Sequence, residues 1–215
     1  MRAVAFDTAG PVIGVAACRD GAMAERSLRV ARGAEAAIPA LLAEVLDEVG
    51  LDVDEIQLVV VADGPGAFTG LRVGVAAATG LATALGVPVV TVGSLVGRAL
   101  AEGAGDRVVL ALLDARKGRL YAQAWAADGS LLFGPVDHAA SDVLAHVAPP
   151  FVATGEGALV ARVAVERAGG VVSDQAAAPG VVALLREGVR KFAAGEGRDA
   201  VDVVPTYVRE PDVGG

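Results

Sequence analysis

Two aspartates, two threonines and two glycine-rich turns carry most of the chemistry this 215-residue chain offers. Asp7 and Asp114 each follow a short apolar run, Ala3–Phe6 and Val108–Leu113. From a strand end a carboxylate can hold a magnesium ion through water, or simply cap its own turn by accepting backbone N–H groups. Gly64, Pro65 and Gly66 open the stretch GPGAFTGLR, residues 64–72, between the apolar run Ile56–Ala62 and a helix-like segment. Such a loop approaches a phosphate or another backbone closely, and the helix behind it begins with unpaired N–H groups that suit an anion. Gly155 and Gly157 follow Phe151–Thr154 in the same order. Thr8 and Thr69 share these loops and are candidates for phosphate contact, and Arg72 is a candidate for charge pairing. Each of these residues also has an ordinary reading as a turn or loop residue.

Other chemistry lacks its residues. The two histidines, His138 and His146, are eight apart with no cysteine nearby, so no two-histidine helix face forms and no metal site is expected. No Ser, His and Asp set stands out for nucleophilic catalysis, and Glu156 and Asp174 have no evident partners. No residue is therefore assigned a catalytic role. The lone Cys18 excludes an internal disulfide and reads as a buried small hydrophobe in a reducing compartment. A net charge of −8, with no basic run longer than Arg116-Lys117, argues against an autonomous nucleic-acid grip. The N-terminus reaches Asp7 too soon for a signal peptide, so a cytoplasmic location is expected.

The elements that must position these residues follow from periodicity. Val12–Cys18 and Ala22–Val30 flank Asp20-Gly21, a hairpin signal, so three antiparallel strands open the chain. From Ala34 to Val49, Ile38, Leu41, Leu42 and Val45 recur at helical spacing and Gly50 closes the helix. Pro39 suits only a first turn, which places the true start later. Thr69–Leu85 is a helix whose only charge is Arg72, with Gly70, Gly74, Ala78 and Ala82 in a stripe of small residues. Gly74 and Gly80 each cost about 1 kcal/mol in a helix interior relative to alanine, so close packing is expected, either on the chain's own sheet or on a partner helix. Val73–Gly97 holds no charge over 25 positions. Gly86, Pro88 and the β-branched run behind them favour helix, turn and strand over a membrane span.

After a linker at Gly103–Asp106 the plan repeats. Val108–Leu113, Asp114, Leu120–Ala126, the hairpin signal Asp128-Gly129 and Ser130–Val136 mirror the opening, and Phe151–Thr154 with its glycine pair and a helix to Arg167 mirrors Ile56–Leu85. The implied organisation is α/β with duplicated lobes at 1–103 and 104–215. A helix over Val181–Ala194, a polar loop, PTYVRE and a tail from Asp212 close the chain.

GPGAFTGLR resembles the GPGSFTGLR signature of the TsaB family, with Ala67 where the signature has Ser. The likeness extends through AFDTA near the start, Ser94-Leu95, LDARKGRLY at 113–121 and PTYVR near the end. It departs at Arg32 to Glu35, where the family has HSE. The resemblance implies the two-lobed actin, sugar-kinase and Hsp70 fold. In that fold Asp7, Thr8, Gly64, Pro65, Gly66, Thr69, Asp114, Gly155 and Gly157 would face a nucleotide between the lobes. It further implies a non-catalytic subunit in tRNA N6-threonylcarbamoyladenosine formation, forming a heterodimer with TsaD, the paralogue that carries an HxxxH metal motif and performs the transfer. This chain has no histidine before Val136. Docking would run through the two helices, by Ile38, Leu41, Leu42 and Val45 on the first and Gly70, Arg72, Gly74, Ala78 and Ala82 on the second. The ATPase TsaE would join, tRNA would be held mainly by partner subunits, and the free chain is open to homodimerisation. The chain would carry no cofactor of its own, with ATP or ADP and magnesium entering at the complex. The competing reading is an ATP-dependent phosphotransferase of the sugar-kinase type.

Overall fold

A computed structural model describes residues 1–30, 33–103 and 105–208. Arg32 of the family departure, Ala104 of the linker, and Arg209, Glu210 and the tail lie outside the described residues. Strands β1 (Arg2–Asp7), β2 (Val12–Arg19) and β3 (Ala22–Arg29) form an antiparallel meander. β4 (Leu58–Ala62) then pairs parallel to β1 and β5 (Val89–Val92) parallel to β4, giving the order β3-β2-β1-β4-β5. β4 is buried on both faces, which is why it reads as an unbroken apolar run. Val59 and Val61 face α1 (Ala34–Val49) and α2 (Phe68–Leu85), while Leu58, Val60 and Ala62 face the opposite layer.

The second sheet repeats the order. β6 (Val108–Arg116), β7 (Arg119–Trp125) and β8 (Leu131–Ala139) form the meander, and β9 (Phe151–Thr154) and β10 (Gly170–Val172) add in parallel on the far side of β6. The duplication is thus one of strand order as well as of turn residues, and the fold is the two-lobed actin and sugar-kinase type. α3 (Ser94–Glu102) sits between the sheets. There Leu95 and Ala99 share a buried cluster with Leu71 of the first lobe and Val109, Ala111, Leu113 and Val152 of the second.

Several expected boundaries change. A cut at 103/104 separates the sheets, but α7 (Val181–Ala193) crosses back and covers the first sheet with Val181, Leu184 and Leu185, so the second lobe does not run to the C-terminus. The helix expected up to Arg167 breaks at Ala161 into α5 (Glu156–Val160) and α6 (Arg162–Arg167). β6 continues two residues beyond Asp114, with a register irregularity between Asp114 and Arg116. α4 (Ala140–Ala145) and β10 are too short for periodicity to announce. α1 starts at Ala34 and not later, as Pro39 alone would suggest: Pro39 lies inside the helix. The bond Pro39 cannot donate would end on the Glu35 carbonyl, and both residues are exposed to water.

The long uncharged stretch is helix, left-handed Gly86 cap and strand. Among the described residues α2 alone is long and apolar enough to cross a membrane, yet its buried side rests on β4 and β1. Cys18 is buried, and burial raises its thiol pKa.

Candidate functional site

The two loops singled out in the first lobe interlock. Ala67 N–H donates to the Ala9 carbonyl at 2.8 Å, and a Cβ on Gly66 would lie 2.6 Å from that of Ala9. Thr8 is 1% exposed and its hydroxyl donates to the Gly70 carbonyl at 2.7 Å. Gly70 rests on the Thr8 carbonyl, and Gly74 on the Thr8 side chain, both too closely for a Cβ. Gly70 and Gly74 of the small-residue stripe therefore admit this turn.

That settles the direction of α2 and corrects the expected docking set. Gly74, Ala78 and Ala82 point into the chain's own core, as do Ile38, Leu41 and Val45 of α1, with Leu42 half-buried beside them. Of the residues nominated for docking on the two helices, only Arg72 is exposed. The exposed residues are Glu35, Ala36, Pro39, Ala40, Ala43, Glu44, Asp47 and Glu48 on α1 and Thr69, Arg72, Ala76, Gly80, Thr83 and Ala84 on α2. Gly80 differs from Gly74: a Cβ there would meet nothing within 4 Å.

Arg72 belongs to a cluster that sequence reading missed. Its guanidinium lies 3.9 Å above the Phe68 ring, and its Nε donates to the Tyr207 hydroxyl at 3.2 Å. Tyr207 stacks on Phe68 with centroids 5.0 Å apart. Next to it Thr206 N–H donates to the Asp63 carbonyl at 2.7 Å, and its hydroxyl to the Asp63 carboxylate at 3.2 Å. GPGAFTGLR and the pair Thr206-Tyr207, far apart in sequence, thus form one structural unit. Burial raises the Asp63 carboxyl above its ordinary value, and hydrogen bonds from Thr206 and Thr91 oppose this.

Between the lobes the carboxylate of Asp7 is fully buried. One oxygen accepts from Ala9 N–H at 2.8 Å and the other from Arg98 Nη1 at 2.7 Å. Glu156, read from sequence as partnerless, faces Arg98 from the second lobe, with Oε2 3.9 Å from Nε. Burial pushes its carboxyl pKa up, against the pull of Arg98, and the Asp7 charge adds to the rise. Gly155 and Gly157 pack on the backbone of Leu112 and Leu113, and Gly64 packs on the Thr206 carbonyl. Thr69 is exposed on the surface of α2. Asp114 accepts from its own Arg116 N–H at 2.8 Å and lines a cavity of about 390 Å³ that none of the other nominated residues shares.

The nominated residues therefore do not surround one opening, and a magnesium nucleotide does not fit them. Both oxygens of the carboxylate that would meet the ion are engaged, one of them by a guanidinium, and the glycines meet the chain's own backbone. The same engagement weighs against the phosphotransferase reading, which would need the Asp7 carboxylate free. His138 and His146 are exposed, and among the described residues no group of three His, Cys, Asp or Glu could hold a metal. Arg98 lacked any motif; its only signal was one charge in an otherwise apolar helix start.

A family model described as "TsaD: tRNA N6-adenosine threonylcarbamoyltransferase" matches residues 29–189. The Escherichia coli protein named "tRNA threonylcarbamoyladenosine biosynthesis protein TsaB" is 34% identical over 125 residues, covering 56% of this chain and 53% of that protein. The chain thus spans about half the length of that curated relative. A Pseudomonas aeruginosa crystal structure described as similar to peptidase YEAZ superposes with a TM-score of 0.83 at 26% identity, over 97% of this chain and 99% of that one. A second, described as YeaZ from the same organism, gives 0.79 at 25% identity, over 96% and 100%.

Proposed function

The chain belongs to the TsaB (YeaZ) family, within the threonylcarbamoyltransferase-type fold family, and from that premise we infer that it is the non-catalytic subunit of a tRNA N6-threonylcarbamoyladenosine complex. It docks on a TsaD subunit, which performs the transfer to the adenosine beside the anticodon. TsaE joins the larger assembly, and partner subunits hold most of the tRNA, in keeping with a net charge of −8 here. The work is cytoplasmic. Any ATP or ADP with magnesium enters at the complex rather than in this chain's own cleft.

The observation that carries this reading is Gly80. A glycine in the middle of an exposed helix costs about 1 kcal/mol relative to alanine, and inside this chain nothing approaches Gly80 to justify it. Around it the outward surface of α2 is alanine and threonine with Arg72 in its first turns, and α1 beside it adds Ala36, Pro39, Ala40 and Ala43 together with the acids Glu35, Glu44, Asp47 and Glu48. Residues as small as Ala76, Gly80 and Ala84 let another helix come close. The docking face is therefore the outer surface of α1 and α2, in place of the inner residues expected from sequence.

The test mixes the purified chain with the HxxxH-bearing TsaD paralogue of the same genome and measures the eluting mass by light scattering. A defined heterodimer is expected, with Gly80→Arg and Ala76→Arg abolishing it while circular dichroism stays unchanged. Two separate species with the unsubstituted chain would sink the subunit reading. Normal binding by both variants would move the interface off this face.

A further inference from the structure

The turn Asp7–Gly10 from the first lobe and the loop Gly155–Gly157 from the second confront each other, and Arg98 stands between them. Nη1 donates to Asp7 at 2.7 Å and to the Ser94 carbonyl at 2.8 Å, fixing the guanidinium from its own helix. A Cβ on Gly10 would come within 3.2 Å of both Glu156 carboxylate oxygens and 3.3 Å of Arg98 Nη2. One on Gly155 would come within 3.3 Å of Arg98 Cδ. Arg98 is 2% exposed, and its Nε, aimed toward Glu156, makes no hydrogen bond among the described residues. A buried cation thus sits between two carboxylates, one from each lobe. That is the charge arrangement a divalent ion produces when it bridges two domains.

We propose that Arg98 is the resident cation of the interlobe cleft, an internal clamp that keeps the lobes closed without a metal or a nucleotide. The lobes also share the apolar cluster around Leu95 and Leu113, so the clamp acts on a contact that is already dry. Removing the guanidinium leaves the carboxyl groups of Asp7 and Glu156 facing each other without their cation, around a space the size of the lost group. The altered cleft becomes a receptor for small cations, which the natural chain has no reason to bind.

Thermal melting tests this on the natural chain and on Arg98→Ala, each with magnesium chloride, methylguanidinium chloride or magnesium ATP, against sodium chloride of equal ionic strength. The natural chain is expected to melt at one temperature throughout. Arg98→Ala is expected to melt about 6–20 °C lower, the range for stranding a buried charge in a chain of this size. It should recover part of that loss with magnesium or methylguanidinium and none with sodium. The proposal is overturned if magnesium ATP raises the melting point of the natural chain, if Arg98→Ala melts like it, or if the variant ignores both cations. Should Arg98→Ala yield no folded protein, the double variant Asp7→Asn, Arg98→Met decides. Recovery of folding supports the clamp, because the stranded charge was then the lesion, and a double variant as unstable as the single one overturns it.

Discussion

Gly74 and Gly80 lie about 1.7 turns apart on α2, hence on different faces, and should respond to alanine with opposite signs. At Gly74 the added methyl meets the Thr8 side chain, whose hydroxyl is held by the Gly70 carbonyl at 2.7 Å. Overpacking costs about 1–3 kcal/mol, and displacing the hydroxyl forfeits a hydrogen bond worth about 1 kcal/mol. The better helix propensity of alanine returns about 1 kcal/mol. Gly74→Ala is therefore expected to lose about 1–3 kcal/mol, a melting point lower by about 2–12 °C at this chain length. At Gly80 the methyl enters open space, only the propensity counts, and Gly80→Ala should gain about 1 kcal/mol, or about 2–4 °C. Urea denaturation of both variants, read at the midpoint with the slope checked for constancy, measures the pair. A neutral Gly74→Ala, or a destabilised Gly80→Ala, would refute the assignment of inner and outer faces on which the docking surface rests. The same geometry disqualifies Gly74→Leu and Ala78→Leu as interface probes, because both would damage the chain's own core before a partner arrived.

Titration of the two buried carboxyls gives a second expectation. Asp63 and Glu156 both have raised folded-state pKa values, so between their unfolded values, about 3.9 and 4.3, and the higher folded ones the native state binds more protons. Stability should fall as pH rises through that window, and Asp63→Asn and Glu156→Gln should each flatten part of the decline in urea midpoints measured from pH 4 to 7. Exposed Asp20 and Asp128 have lowered values and act in the opposite direction, below about pH 3.9. Tyr207→Ala should cost about 0.5–1.5 kcal/mol by losing the stack on Phe68, whereas Tyr207→Phe keeps the stack and should cost less. Equal losses from the two would place the energy in the Arg72 hydrogen bond instead. Calorimetry with magnesium ATP should give no saturable heat with the free chain, and saturable heat would reopen the cleft as a nucleotide site.

Much of this fold is legible because its signals are local. Asp20-Gly21 and Asp128-Gly129 mark hairpins, the valine runs mark strands buried on both faces, and Gly50 and Gly86 stop their helices in the left-handed conformation. Spacing between like turns carries the duplication. What escapes are features decided by contacts distant in sequence. α7 has a plain amphipathic pattern, but nothing in its residues says that the face holding Val181, Leu184 and Leu185 covers the first sheet rather than the second. Tyr207 and Phe68 are each unremarkable until the chain folds them together.

The site shows the same division, and the misreading of α2 shows why. A helix apolar all round announces that it has two covered sides without saying which is covered by its own chain. Glycine occurs on both sides here for different physical reasons. Gly70 and Gly74 admit the Thr8 turn, a need satisfied within the monomer, whereas Gly80 has no such need. Asp7 is the parallel case at the cleft: a carboxylate at a strand end is suited to an ion, and the ion it meets is Arg98, 91 residues away in sequence. Residue type and spacing name the chemistry a position can perform, and only packing decides which partner receives it. In this chain packing spends the cleft residues on one another and leaves small residues of α1 and α2, among them Ala36, Ala40, Ala76 and Gly80, exposed to solvent.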